Sequence, residues 1–165
     1  MGAGKTTVGR HLAELRRMDF ADSDQEIERR TGVDIAYIFE KETEAGFRKR
    51  EAQVISELSK REHLVLATGG GAVMDPASRR QLADRGFVVY LRAELSQQLR
   101  RTGRSSHRPL LQGGNPEETL RRLFEVRDPI YREIADLVVE TRGRAAKAVT
   151  AEIEAAMDPL LAGAS

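Results

Sequence analysis

Lys5 follows Gly2-Ala3-Gly4 and precedes Thr6-Thr7, and this run constrains the chain more than any other stretch. It reads as the second half of a phosphate-binding loop of the form G-x-x-x-x-G-K-[ST]. In that pattern backbone N–H groups wrap phosphates, the lysine reaches the β and γ groups, and the next hydroxyl ligates Mg²⁺. Gly4, Lys5 and Thr6 fill the last three places. The leading glycine, and the strand that usually feeds such a loop, would precede Met1. Val8, Leu12 and Leu15 recur at i, i+4 and i+7, which predicts a helix with one buried face and the glycine turn at its N-terminus, a ready anion site. The plainer alternative is a flexible start ahead of an ordinary helix.

At 165 residues the chain suits a single domain with its own core. Its 27 Lys and Arg nearly balance 26 Asp and Glu, so bulk charge gives no case for binding nucleic acid or a membrane surface. With no cysteine, disulfides and thiolate metal sites are excluded. No signal-peptide pattern or long apolar run occurs, and a cytoplasmic protein is expected.

Beyond the first helix, strand and helix signals alternate. Met18 to Ala21 suits a short strand leading into Asp22-Ser23-Asp24, and Ser23 with Glu26 has capping-box spacing for a helix ending near Gly32. The aspartates either compensate that helix start or face a nucleotide, where Mg²⁺ and an acceptor for a substrate hydroxyl are both needed. A helical turn over 34–40 precedes a longer helix over 43–60, on which Arg48 is otherwise an ordinary solvated charge.

Leu64 to Ala67 reads as a buried parallel strand running into Thr68-Gly69-Gly70-Gly71. Three glycines at a strand's carboxyl end allow a ligand close to the backbone, although they also suit a flexible turn. Asp75-Pro76 opens a helix closed by Gly86, Phe87 to Leu91 is the next strand, and a helix follows across Leu95 to Arg101. The segment 102–114 interrupts this alternation and suits a lid carrying Arg108, with a solvated loop arginine as the alternative.

Asn115-Pro116 opens a helix that Asp128-Pro129 is expected to bend or end, with Arg127 just before it. Leu137 to Glu140 is the last strand, a helix spans about 145–157, and 160–165 reads as a tail. The pattern predicts an α/β chain with a parallel sheet covered by helices on both faces. His11, His63 and His107 lack ligand spacing, which leaves Mg²⁺, held by hydroxyl, carboxylate-bound water and phosphate oxygens, as the metal the chain can supply.

Gly-Ala-Gly-Lys-Thr, Asp22-Ser23-Asp24, Phe47-Arg48, Gly69-Gly70-Gly71, Arg108-Pro109-Leu110-Leu111 and Arg127-Asp128-Pro129-Ile130-Tyr131, in this order along nearly the whole chain, closely resemble the shikimate kinase family. The resemblance implies a three-layer P-loop kinase fold with sheet order 2-3-1-4-5, its first strand absent here, and transfer of the γ-phosphoryl group of ATP to the 3-hydroxyl of shikimate. It implies one domain over 1–165, a lid at about 102–114 and a substrate-binding region at about 24–60. Carried over by motif, Gly2, Ala3, Gly4, Lys5, Thr6 and Thr7 hold ATP, with Arg101 stacked on adenine and Arg108 descending onto the phosphates. Thr6 binds Mg²⁺ and Asp22 does so through water. Asp24 takes hydrogen bonds from substrate hydroxyls and orients or deprotonates the attacking one. Arg48 and Arg127 clamp the substrate carboxylate, and Gly69, Gly70 and Gly71 line that site. Lys5, Asp24 and Arg108 form the catalytic set. Ala145-Ala146 stand where the family often has a proline on the adenine face. A monomer is expected. A gluconate-type kinase and a non-catalytic nucleotide-binding module are the rival readings.

Overall fold

The computed structural model describes residues 3–94 and 115–163. In chain order the elements are α1 (Lys5–Arg16), β1 (Asp19–Asp22), α2 (Ser23–Thr31), α3 (Ile35–Leu58), β2 (Leu64–Ala67), a 3₁₀ turn (Ala72–Met74), α4 (Pro76–Arg85), β3 (Val89–Arg92), α5 (Pro116–Ile134), β4 (Leu137–Glu140) and α6 (Ala146–Gly163). The helix expected over Leu95 to Arg101 and the lid expected at 102–114 lie outside the described residues.

All strand pairing among the described residues is parallel. β1 pairs with β2 from Asp19 opposite Leu64 to Asp22 opposite Ala67, and β3 pairs with β4 from Val89 opposite Leu137 to Arg92 opposite Glu140. Side chains alternate across these strands, as the two-residue period requires. Val65, Val89, Leu91 and Leu137 join a core built on Val8 and Leu12 of α1 and Val149 and Ile153 of α6. Leu64 and Leu66 instead join Ile27 of α2 and Ile38, Phe47, Val54 and Leu58 of α3. Beyond β3, Tyr90 and Arg92 both donate to Asp128 of α5. Helices therefore cover both faces, as the alternating pattern predicts.

The strands form two separate pairs among the described residues. Cavities of about 240 and 860 Å³ lie between the pairs, lined by Leu64 and Leu66 of β2 and by Val89 and Leu91 of β3. The two pairs match the 2-3 and 4-5 pairs of a 2-3-1-4-5 sheet.

Several local expectations are corrected. Leu15 is 62% exposed, so the buried face of α1 consists of Val8, Gly9, Leu12 and Ala13. Gly9 belongs there because a Cβ would come within 2.8 Å of the Phe20 ring. Asp22, not Ser23, caps α2: its carboxylate accepts from the N–H groups of Asp24 and Gln25. The Ser23 hydroxyl is buried and accepts instead from the Gly69 N–H at 3.0 Å. Of the two alternatives at Pro129, a bend or an end, the end is excluded: α5 continues to Ile134. Pro129 and Glu125 both lie on the exposed side, so the Glu125 carbonyl that proline leaves unpaired faces water. α6 likewise runs through Pro159 to Gly163, into the stretch expected as a tail. The predicted turn and long helix over 34–60 form α3, broken at Thr43, whose φ of 63° and ψ of 175° are not helical.

Candidate active site

The phosphate end is built at the start of α1. Gly4 caps that helix at φ 84°, in the left-handed region that glycine occupies without strain. Lys5 and Thr6 follow in the first turn, at the positive end of the helix dipole. A cavity of about 460 Å³ opens here, lined by Ala3 to Val8 and, from the far side, by Thr141 and Arg144. Sequence reasoning passed over Thr141 and placed no ligand at Arg144.

The Thr6 hydroxyl donates to the Asp22 carboxylate at 2.7 Å. The last residue of β1 and the first turn of α1 thus present two hard oxygen donors beside the lysine. Among the described residues no group of three His, Asp or Glu side chains can cage a metal. The donor set fits Mg²⁺, which keeps several waters and shares its shell with phosphate oxygens.

The acceptor end gathers around the glycine loop after β2. Asp24, in the first turn of α2, has its pKa pushed up to about 6, first by burial and then by the negative charges of Glu51 and Asp22, while Lys5 opposes the shift. Its Oδ1 is buried without a hydrogen-bond partner. Glu51 is buried on α3, where its Oε2 holds Arg48 Nη1 at 2.6 Å and its Oε1 is unpartnered. Burial raises the Glu51 pKa against the opposing pull of Arg48. The other edge of the Arg48 guanidinium meets Glu44 at 3.0 Å.

Two glycines make this packing possible. A Cβ on Gly69 would lie 2.4 Å from Glu51 Oε1 and 2.8 Å from Asp24 Oδ1. On Gly71 it would lie 2.4 Å from both terminal nitrogens of Arg48. The Gly70 carbonyl accepts a 2.7 Å hydrogen bond from the Tyr131 hydroxyl.

Arg127 completes the cluster from α5. It is buried, makes no hydrogen bond or ion pair among the described residues, and has its pKa lowered chiefly by burial, with Arg48 adding repulsion. A buried guanidinium without a hydrogen-bonded anion is costly, and two close together form a site for one. The structure therefore brings together Lys5, Thr6, Asp22, Asp24, Arg48, Gly69, Gly70, Gly71 and Arg127 of the expected residues. Ala3, Gly4 and Thr7 line the phosphate cavity, whereas Gly2, Arg101 and Arg108 lie outside the described residues.

Glu51 and Tyr131 were missed as site residues. The signal for Glu51 was present: it stands three residues after Arg48, on the same helical face.

A family model described as shikimate kinase matches residues 1–158. The shikimate kinase of Shewanella oneidensis is 54% identical over 153 residues, which cover 93% of this chain and 90% of that relative. Among solved structures, shikimate kinase from Acinetobacter baumannii in complex with shikimate is 56% identical with a TM-score of 0.91, over 93% of this chain and 86% of that one. Shikimate kinase from Aquifex aeolicus is 33% identical with a TM-score of 0.83, over 99% of this chain and 94% of that one.

Proposed function

The chain belongs to the shikimate kinase family, and we propose that the residues gathered at the two ends of this site divide the family's reaction between them. The reaction moves the γ-phosphoryl group of ATP to the 3-hydroxyl of shikimate, giving shikimate 3-phosphate and ADP.

Ala3 to Thr7, with Gly2, receive the phosphates, and Lys5 pairs with the β and γ groups. Thr6 and, through water, Asp22 hold Mg²⁺, which when bound supplies positive charge to the phosphate oxygens. Asp24 accepts from the shikimate hydroxyls and aims the attacking oxygen; as the ionised carboxylate it can also take that oxygen's proton. Arg48 and Arg127 grip the carboxylate with planar forks that a lysine does not reproduce. Gly69, Gly70 and Gly71 keep the loop's backbone against the substrate. Arg101 stacks on adenine, and Arg108 brings charge from the lid, where closure also excludes water.

Most of the catalysis is then positioning and charge stabilisation in an in-line transfer. The observation that carries this reading is the make-up of the acceptor end: Arg48 and the buried Arg127, which has no hydrogen bond or ion pair among the described residues, share the glycine loop with the Asp24 carboxylate, whose Oδ1 is buried without a partner. An acceptor bearing a carboxylate at one end and hydroxyls at the other matches both.

The whole chain is read as one domain that works as a cytoplasmic monomer; no described helix is long and apolar enough to cross a membrane. An ATP-coupled assay with shikimate, with gluconate and with no acceptor tests the reading. Turnover with shikimate alone supports it. Turnover with gluconate, or ATP binding without any transfer, replaces it with one of its rivals.

A further inference from the structure

Tyr131 lies one turn beyond Arg127 on α5, on the same face of that helix. Its hydroxyl donates to the Gly70 carbonyl at 2.7 Å. Its ring stacks on Tyr90 of β3, with centroids 4.7 Å apart and planes 13° apart. Tyr90 in turn donates to Asp128, which also accepts from Arg92 and Arg132. Tyr131 is thus held on one side by a strand of the sheet and on the other fixes a single peptide of the glycine loop.

The Gly70–Gly71 peptide is planar and trans, so its carbonyl and its N–H point in opposite directions. Anchoring the Gly70 carbonyl on Tyr131 turns the Gly71 N–H away from α5. Gly71 is buried, its N–H has no hydrogen-bond partner among the described residues, and the Arg48 guanidinium lies against its Cα. A buried donor left open next to a carboxylate-gripping arginine is a poor structural choice and a good ligand contact.

We propose that Tyr131 is a positioning residue for the acceptor: by holding the Gly70 carbonyl it aims the Gly71 N–H at shikimate and sets the loop's register against Arg127. This rests on shikimate being the acceptor. It assigns the tyrosine no contact with the reacting atoms, so its effect falls on acceptor binding and not on ATP.

Tyr131→Phe removes the hydroxyl and leaves the ring stack. The expected result is a rise of about five- to tenfold in KM for shikimate, the scale of one lost hydrogen bond, with KM for ATP and kcat within about twofold of wild type. Tyr90→Phe is the control: it breaks the bond to Asp128, keeps Tyr131 on Gly70, and is expected to leave KM for shikimate unchanged. A shikimate KM within twofold of wild type in Tyr131→Phe, or an equal rise for both substrates, overturns the proposal. Should Tyr131→Phe not fold, amide NMR on the wild-type chain decides. Shikimate is expected to shift the Gly71 amide and slow its exchange. Shikimate binding that leaves the Gly71 amide unmoved overturns the role of Tyr131 alone, whereas absence of shikimate binding overturns the acceptor assignment along with it.

Discussion

Glu51 holds Arg48 through a 2.6 Å contact to one guanidinium nitrogen while its second carboxylate oxygen stays buried without a partner beside Gly69. The pair fixes the arginine's plane before any substrate arrives. Glu51→Gln keeps the shape and removes the charge. It should lower stability by about 1–3 kcal/mol, the range for disrupting a largely buried charge contact, and raise KM for shikimate well before it alters KM for ATP. Thermal melting and two-substrate kinetics check both; an unchanged shikimate KM would remove Glu51 from the site.

Asp24 has a folded-state pKa of about 6, raised first by burial. Because that value lies above the unfolded one, the folded chain binds the extra proton between about pH 4 and 6, and stability from this group falls as pH rises through that window. Two effects of opposite sign follow. Catalytic efficiency with shikimate should drop with a one-proton slope below about pH 6, as Asp24 loses the carboxylate proposed to orient the attacking hydroxyl. Asp24→Asn should melt higher than wild type at pH 7, by about 1–3 kcal/mol in stability, while losing activity. A pH profile that is flat from 5 to 7 contradicts the assignment of Asp24 as acceptor.

Asp22 caps α2 with one carboxylate oxygen and receives the Thr6 hydroxyl with the other. Asparagine caps nearly as well as aspartate. Asp22→Asn should therefore keep its stability within about 1 kcal/mol but need several-fold more Mg²⁺ for half-maximal activity. Magnesium titrations of the coupled assay, beside melting curves, separate the two duties. An unaltered magnesium requirement means that Asp22 serves only as the cap.

Gly69 and Gly71 are predicted to tolerate alanine structurally but not functionally. The atoms a Cβ would meet are the ends of the Glu51, Asp24 and Arg48 side chains, which can swing aside. Swinging aside displaces the groups proposed to hold the acceptor, and an error of about 1 Å in such a group can cost on the order of a hundredfold in rate. Shikimate turnover should fall at least tenfold in either variant with the far-ultraviolet circular dichroism unchanged; retention of full activity would show that the loop has more room than these distances allow.

Much of this site was legible in the sequence because its parts are short and local. Lys5-Thr6, Asp22 to Asp24 and the glycine triplet each sit at the end of a strand or the start of a helix, where residue type and position jointly restrict chemistry. What was hidden depended on contacts between elements. Ser23 has capping spacing, yet its hydroxyl turns to Gly69 of another segment, and Asp22 takes the cap. Pro129 reads as either a bend or an end of its helix, and its exposed position lets α5 carry on and bring Tyr131 to Gly70. Leu15 fits the apolar spacing of α1, yet α6 and the strands cover only the face centred on Val8 and Leu12.

The parallel register of β1 on β2 closes with Asp22 opposite Ala67, so both strands deliver their next residues to the same rim of the fold. Ser23 and Gly69 meet there through a 3.0 Å hydrogen bond, which ties the start of α2 to the glycine loop. A slip of one residue in that pairing would turn every side chain of the strand to its opposite face and part these two segments, so strand register and site geometry are kept or lost together.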